Sequence, residues 1–143
     1  MLKQLACLAA IGATPAFAAA LPQLEGNYTF SENDACWSND GKGPLYFDQR
    51  VGTANFSTAS GTYTAVFGNN YVNNTDAEFH HAKEVMPFTV TGPHAISLAG
   101  GKPQYAQFGP LRNGIASSAY VLGLFKDQTK NCSFQYTFTQ AAP

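Results

Sequence analysis

Cys132-Ser133-Phe134-Gln135-Tyr136-Thr137-Phe138-Thr139 sets large or apolar groups at every even position and small polar ones at every odd position. A period of two belongs to a strand buried on one face. Cys132 shares the face of Phe134, Tyr136 and Phe138, so its thiol points toward the core, where a partner is wanted. Beyond the first 18 residues the only other cysteine is Cys36. A Cys36–Cys132 disulfide staples the last strand to the segment just after the first, and so predicts a sheet tied start to end, a barrel or a sandwich. In the loop-entropy description a closed loop of this length contributes about 4–5 kcal/mol before native strain is subtracted.

Met1 to Ala18 carries a single Lys3, an apolar run from Leu5 to Ile11 and then Ala16-Phe17-Ala18, small residues at the two positions a signal peptidase reads. This anatomy predicts a secretory signal peptide over 1–18, cleaved after Ala18, and one domain over 19–143. The apolar run is too short to span a bilayer, which takes about 20 residues. Too little apolar chain precedes Cys7 for a lipoprotein signal, so Cys7 leaves with the signal and two cysteines remain. In an exported chain those two are expected as one disulfide rather than two thiols.

The chain is near neutral, with a formal net charge of -1, and its few lysines and arginines form no basic run. Nucleic acid and anionic membrane surfaces are therefore not expected partners, and no membrane span is expected after signal cleavage. Four Asn-x-Ser/Thr triplets begin at Asn27, Asn55, Asn73 and Asn131. The Ala-rich cleavage region has a bacterial look, so the expectation is a secreted or periplasmic protein without glycans.

Short patterned runs alternate with turn residues along the mature chain. Asn27 to Phe30 reads as the first strand, with Tyr28 and Phe30 on one face. Ser31 to Pro44, crowded with Asn, Asp, Ser and Gly, reads as a long loop pinned by Cys36. Leu45, Phe47 and Val51 alternate with Tyr46, Asp48 and Arg50 in a second strand. Ala54 to Ala59 and Thr62 to Gly68 flank Ser60-Gly61 as a tight hairpin. The one helix-like stretch, Ala77 to Val85, is too short to stand alone and reads as a helical turn or lid. Strands follow at Met86 to Val90, Ile96 to Leu98 and Gln104 to Phe108, with Gly100-Gly101-Lys102 as a turn. Ala116 to Phe125 reads as a strand covered on both faces.

About eight strands and no intervening helices predict an all-β fold. A small antiparallel up-and-down barrel of calycin-like form is favoured over a β-sandwich, because closure removes the edges that so many short strands would otherwise expose. Glu25-Gly26-Asn27-Tyr28 resembles the Gly-x-aromatic opening of lipocalin-like and avidin-like barrels. The resemblance covers those four residues and carries no binding residue with it.

For chemistry, His80 and Glu84 are four apart and would share a helix face as a weak metal-ligand pair that still needs a third ligand, His81 or His94. A solvated loop is the expected reading, with no metal and no cofactor. No Gly-x-Ser-x-Gly turn and no phosphate-cradling loop occur, so no catalytic residue is assigned. Asp48 and Arg50 are expected to form an outward salt bridge; their alternative is an acid-base set inside a barrel.

Tyr28, Phe30, Tyr63, Phe67, Phe88, Tyr120, Phe134 and Tyr136 fall on the expected inward faces. Large inward rings either fill a small barrel or line an apolar pocket. The expected function is an exported barrel of binding or structural type, holding a small apolar or aromatic ligand or meeting another exported protein. The alternative is a secreted enzyme, metal-dependent or using acid-base groups in the barrel. A filled interior favours the scaffold, a ligand-sized cavity favours binding, and converging polar groups with a perturbed acid favour the enzyme.

Overall fold

The computed structural model describes residues 19–72, 83–126 and 128–141. The expected signal peptide, 1–18, and the histidines His80 and His81 lie outside them. Ten strands follow in order: β1 (Gly26–Ser38), β2 (Pro44–Ser57), β3 (Thr62–Val72), β4 (Lys83–Gly92), β5 (Ala95–Leu98), β6 (Gln104–Phe108), β7 (Leu111–Arg112), β8 (Ile115–Ala116), β9 (Ser118–Lys126) and β10 (Lys130–Gln140). Eight of them close a barrel in the order β1-β10-β9-β6-β5-β4-β3-β2, every pair antiparallel. It is an all-β up-and-down barrel, and the sandwich alternative is set aside. β7 and β8 form a small separate ribbon.

The closing seam is the β1–β10 pair, in which Cys36 lies directly opposite Cys132 and bonds to it. The disulfide is therefore cross-strand, and it is compatible with an oxidising environment. The alternation of the C-terminal strand holds, with Phe138 on the inner face and almost fully buried.

Several boundaries differ from the sequence reading. Ser31–Ser38 continues β1 in place of the expected long loop, and the turn shrinks to 39–43. Asn, Asp and Ser there are strand residues because the even positions Glu32, Asp34 and Cys36 meet partners across the sheet. The two runs around Gly52 are one strand, β2. Gly52 marks a bulge against β3 instead of an end, since a Cβ on it would sit 2.1 Å from the Val66 carbonyl oxygen. Lys83-Glu84-Val85 belongs to β4 and not to a helical turn, while 77–82 lie outside the described residues. The outer face of β9 is open, with Leu124 82% exposed, so this strand is not covered on both sides.

The lower half of the barrel holds the apolar core. Phe56 from β2 packs its ring against Tyr28 (5.4 Å between centroids), Tyr63 (4.9 Å), Phe88 (4.9 Å) and Phe138 (5.1 Å). Ile96, Leu98, Val121 and Leu24 complete it. The Tyr28 hydroxyl, buried with its ring, donates to the Ala116 carbonyl at 2.6 Å, so the one polar atom this residue brings into the core is satisfied.

Strand lengths are uneven, and this shapes the other half. β9, β10, β1, β2 and β3 make a tall wall, whereas β5 and β6 have four and five residues. β6 pairs β9 only from Tyr105↔Leu122 to Phe108↔Ala119. Gly123–Lys126 of β9 pairs β10 on one side and runs past the start of β6 on the other.

Candidate functional site

On the tall wall, the even positions of β1 pass from Tyr28 and Phe30 to Glu32 and Asp34 while still facing inward. On β2 the inward set Phe56, Ala54 and Gly52 continues into Arg50 and Asp48. The register puts Arg50 opposite Glu32 on one side, and Tyr136 of β10 opposite Glu32 on the other. Directly opposed side chains on one face are close enough to bond. Arg50 Nη2 donates to Glu32 Oε1 at 2.6 Å, its Nε lies 3.4 Å from Asp48 Oδ2, and Nη2 lies 3.7 Å from Asp34 Oδ2. Its guanidinium also sits 4.9 Å from the Phe67 ring centroid, a cation–π contact.

This overturns the expected outward salt bridge: Asp48 and Arg50 are 2% and 8% exposed, while Leu45 and Phe47 point outward and are about half exposed. The phase of β2 is fixed by Phe56, which must be inside, and its pairing with β1 runs unbroken from Phe56 to Asp48, because the extra residue of the bulge at Gly52 lies on β3 and leaves the β2 faces unreversed. Apolar character at 45, 47 and 51 was a misleading guide because the polar residues have each other as partners inside.

One guanidinium serves three carboxylates. Burial, then the Glu32 carboxylate and, more weakly, Asp48, push Asp34 up to about 8 against the pull of Arg50. Burial opposes the charge on Arg50, but Glu32 first, then Asp48 and Asp34, outweigh it and hold the guanidinium charged. Burial, followed by the charge of Glu32, raises the hydroxyls of Tyr136 and Tyr63 above their ordinary value, so both remain donors; that of Tyr136 is directed to Glu32.

An acid raised in the folded state binds a proton that the unfolded chain releases, so its contribution to stability declines as pH rises from about 4 to about 8. Asp34→Asn is therefore expected to leave stability near wild type at pH 4 and to raise it by about 2–4 kcal/mol at pH 8. Denaturant midpoints at the two pH values check this; equal effects at both would contradict it.

Two spaces adjoin the cluster. The first, inside the barrel and lined by Phe30, Glu32, Arg50, Tyr63, Phe67, Glu84 and Tyr136 among others, leaves only about 30 Å³ free. That is room for a water or two and not for a ligand. The second is a groove of about 760 Å³ between the β5–β6 hairpin and the end of β9 that runs past it. Leu98, Tyr105, Leu122, Leu124, Phe125 and Phe134 line it, Lys102 and Lys126 stand on its two walls, and Tyr136 is common to both spaces. Gly123 is needed here: the Phe134 ring lies over it, 2.0 Å from where a Cβ would be.

Of the aromatics expected on inward faces, Tyr28 and Phe88 are core packing, whereas Phe30, Tyr63, Phe67 and Tyr136 surround the small cavity. Phe134 and Tyr136 reach the groove. Tyr120 does not join them, because β9 turns Ala119, Val121 and Gly123 inward and pairs Tyr120 with the exposed Thr137. Glu84 lines the small cavity, and His94 stacks on Tyr105 at 6.3 Å. Among the described residues, no three His, Cys, Asp or Glu side chains are placed to hold a metal ion.

Sequence reasoning missed Glu32, Asp34, the inward sense of Arg50 and the groove. Parity held a signal for the first three: Cys36 must face Cys132, Tyr28 faces the core, and both are even, so Glu32 and Asp34 between them face inward too, and on β2 Arg50 shares the parity of the buried Phe56. Searches against family models, curated proteins and solved structures find no match for this chain.

Proposed function

We propose that this chain is an exported binding barrel that holds a small, largely apolar ligand in the groove between β9 and the β5–β6 hairpin. The observation that carries the reading is the groove itself, about 760 Å³ and lined mainly by apolar side chains, within the size range of ligand sites. The barrel interior supports no ligand, since only about 30 Å³ is left there. Phe125 and Leu124 remain 49% and 82% exposed, apolar surface that a ligand would cover.

Calorimetric titration with 1-octanol tests the proposal. One-to-one saturable binding is expected, weakened about tenfold in Phe125→Glu, which removes one apolar wall without touching the core. Absence of saturable binding, or equal affinity in the variant, contradicts it.

A second reading, acid-base catalysis, is favoured by one observation: Asp34 keeps its proton near neutrality within reach of Arg50 and Glu32. Tyr136 would connect that set to a substrate in the groove.

A further inference from the structure

We infer that the occupant of the groove is a free single-chain amphiphile with an anionic head, its head at the mouth between Lys102 and Lys126 and its apolar chain directed toward Tyr136. The inference rests on the groove being a ligand site and goes beyond it to the chemistry of the ligand. Lys102 comes from the turn between β5 and β6, and Lys126 ends β9, so two cations stand on facing walls of one apolar groove. Among the described residues neither makes an ion pair and no carboxylate lines the groove. Between them the lining is mostly apolar, with Leu98, Leu122, Leu124, Phe125 and Phe134, and its other polar side chains are the neutral Gln104, whose oxygen already accepts from the Leu98 amide, and Tyr105.

The inner end fixes the orientation. Tyr136 closes it with its hydroxyl committed to Glu32, and behind Glu32 stand Asp48, Asp34 and, as the one cation of the set among the described residues, Arg50. Carboxylates outnumber the guanidinium there, so an anionic head is repelled from the inside while the lysines attract it outside. A cationic head would meet the lysines first and be rejected. Lysine is a point charge without the planar fork of arginine, so the mouth selects for negative charge more than for one particular acid group.

Octanoate, 1-octanol and octyltrimethylammonium, of similar chain and different head charge, separate the terms. Octanoate is expected to bind about tenfold more tightly than 1-octanol at low ionic strength, the sum of two exposed charge contacts, with the advantage shrinking in 0.5 M NaCl. In Lys102→Gln/Lys126→Gln the octanoate affinity should fall to that of 1-octanol, with 1-octanol itself unchanged. Equal binding of the two by the native protein, a preference that survives the double variant, or tighter binding of octyltrimethylammonium overturns the inference while the groove stands. Failure of every probe overturns the groove with it. Lysine-dependent flotation with phosphatidylglycerol vesicles, in the absence of octanoate binding, would assign the lysines to a membrane surface and also overturn the inference.

Discussion

Arg50→Met should destabilise the folded chain by about 3–5 kcal/mol at neutral pH, the range for removing one partner of a buried charge set. The guanidinium is the cation that Glu32, Asp48 and Asp34 share, and Glu32 and Asp48 are almost fully buried. Methionine fills much the same space but takes from the buried Glu32 carboxylate the cation it bonds at 2.6 Å. Combining Arg50→Met with Glu32→Gln and Asp48→Asn should recover most of the stability, because neutral groups of similar shape tolerate burial better. Urea denaturation measures all three proteins. A loss under about 1 kcal/mol would mean that the set is solvated, as exposed ion pairs contribute no more than that.

Phe138→Ala carries an effect of similar size for a different reason. The ring is 1% exposed and touches Phe56 at 5.1 Å, Tyr63 at 6.3 Å, Phe30 at 6.1 Å and Tyr136 at 6.0 Å. These neighbours sit on different strands, so none can swing across to fill the space, and about 3–5 kcal/mol is the expected cost of transfer plus cavity. Phe134→Ala should cost less, because that ring is only partly buried and lies over Gly123 at the groove. The comparison is informative because both residues share one face of one strand. Equal losses from the two would mean that the groove is closed in solution and that Phe134 belongs to the core.

How far the fold could be read from sequence follows from where polar residues sit. In β10 and in the Tyr63-Ala65-Phe67 arm, apolar groups face inward and their period announces the strand. In β1 and β2 the period is intact but the inward residues change from apolar to charged halfway along, so hydrophobicity points to the wrong face at Asp48 and Arg50 and to no strand at all at Glu32 and Asp34. Only counting from the fixed points Tyr28, Cys36 and Phe56 recovers them. The groove had no local signal. It exists because β9 continues to Lys126 where β6 starts only at Gln104, a mismatch between strands that pair across a ribbon and a turn. Its lining reads as ordinary turn and strand residues until the barrel closes.

The polar interior of the tall wall is the central structural claim, and the titration of Asp34 tests it most directly. Following the Asp34 carboxyl carbon by NMR from pH 3 to pH 10, the account predicts a midpoint near 8, because burial and the neighbouring Glu32 hold the proton on. A midpoint near the ordinary aspartate value of about 4 would put that side chain in water and contradict the inward-facing set on which both the groove's inner end and the acid-base reading depend.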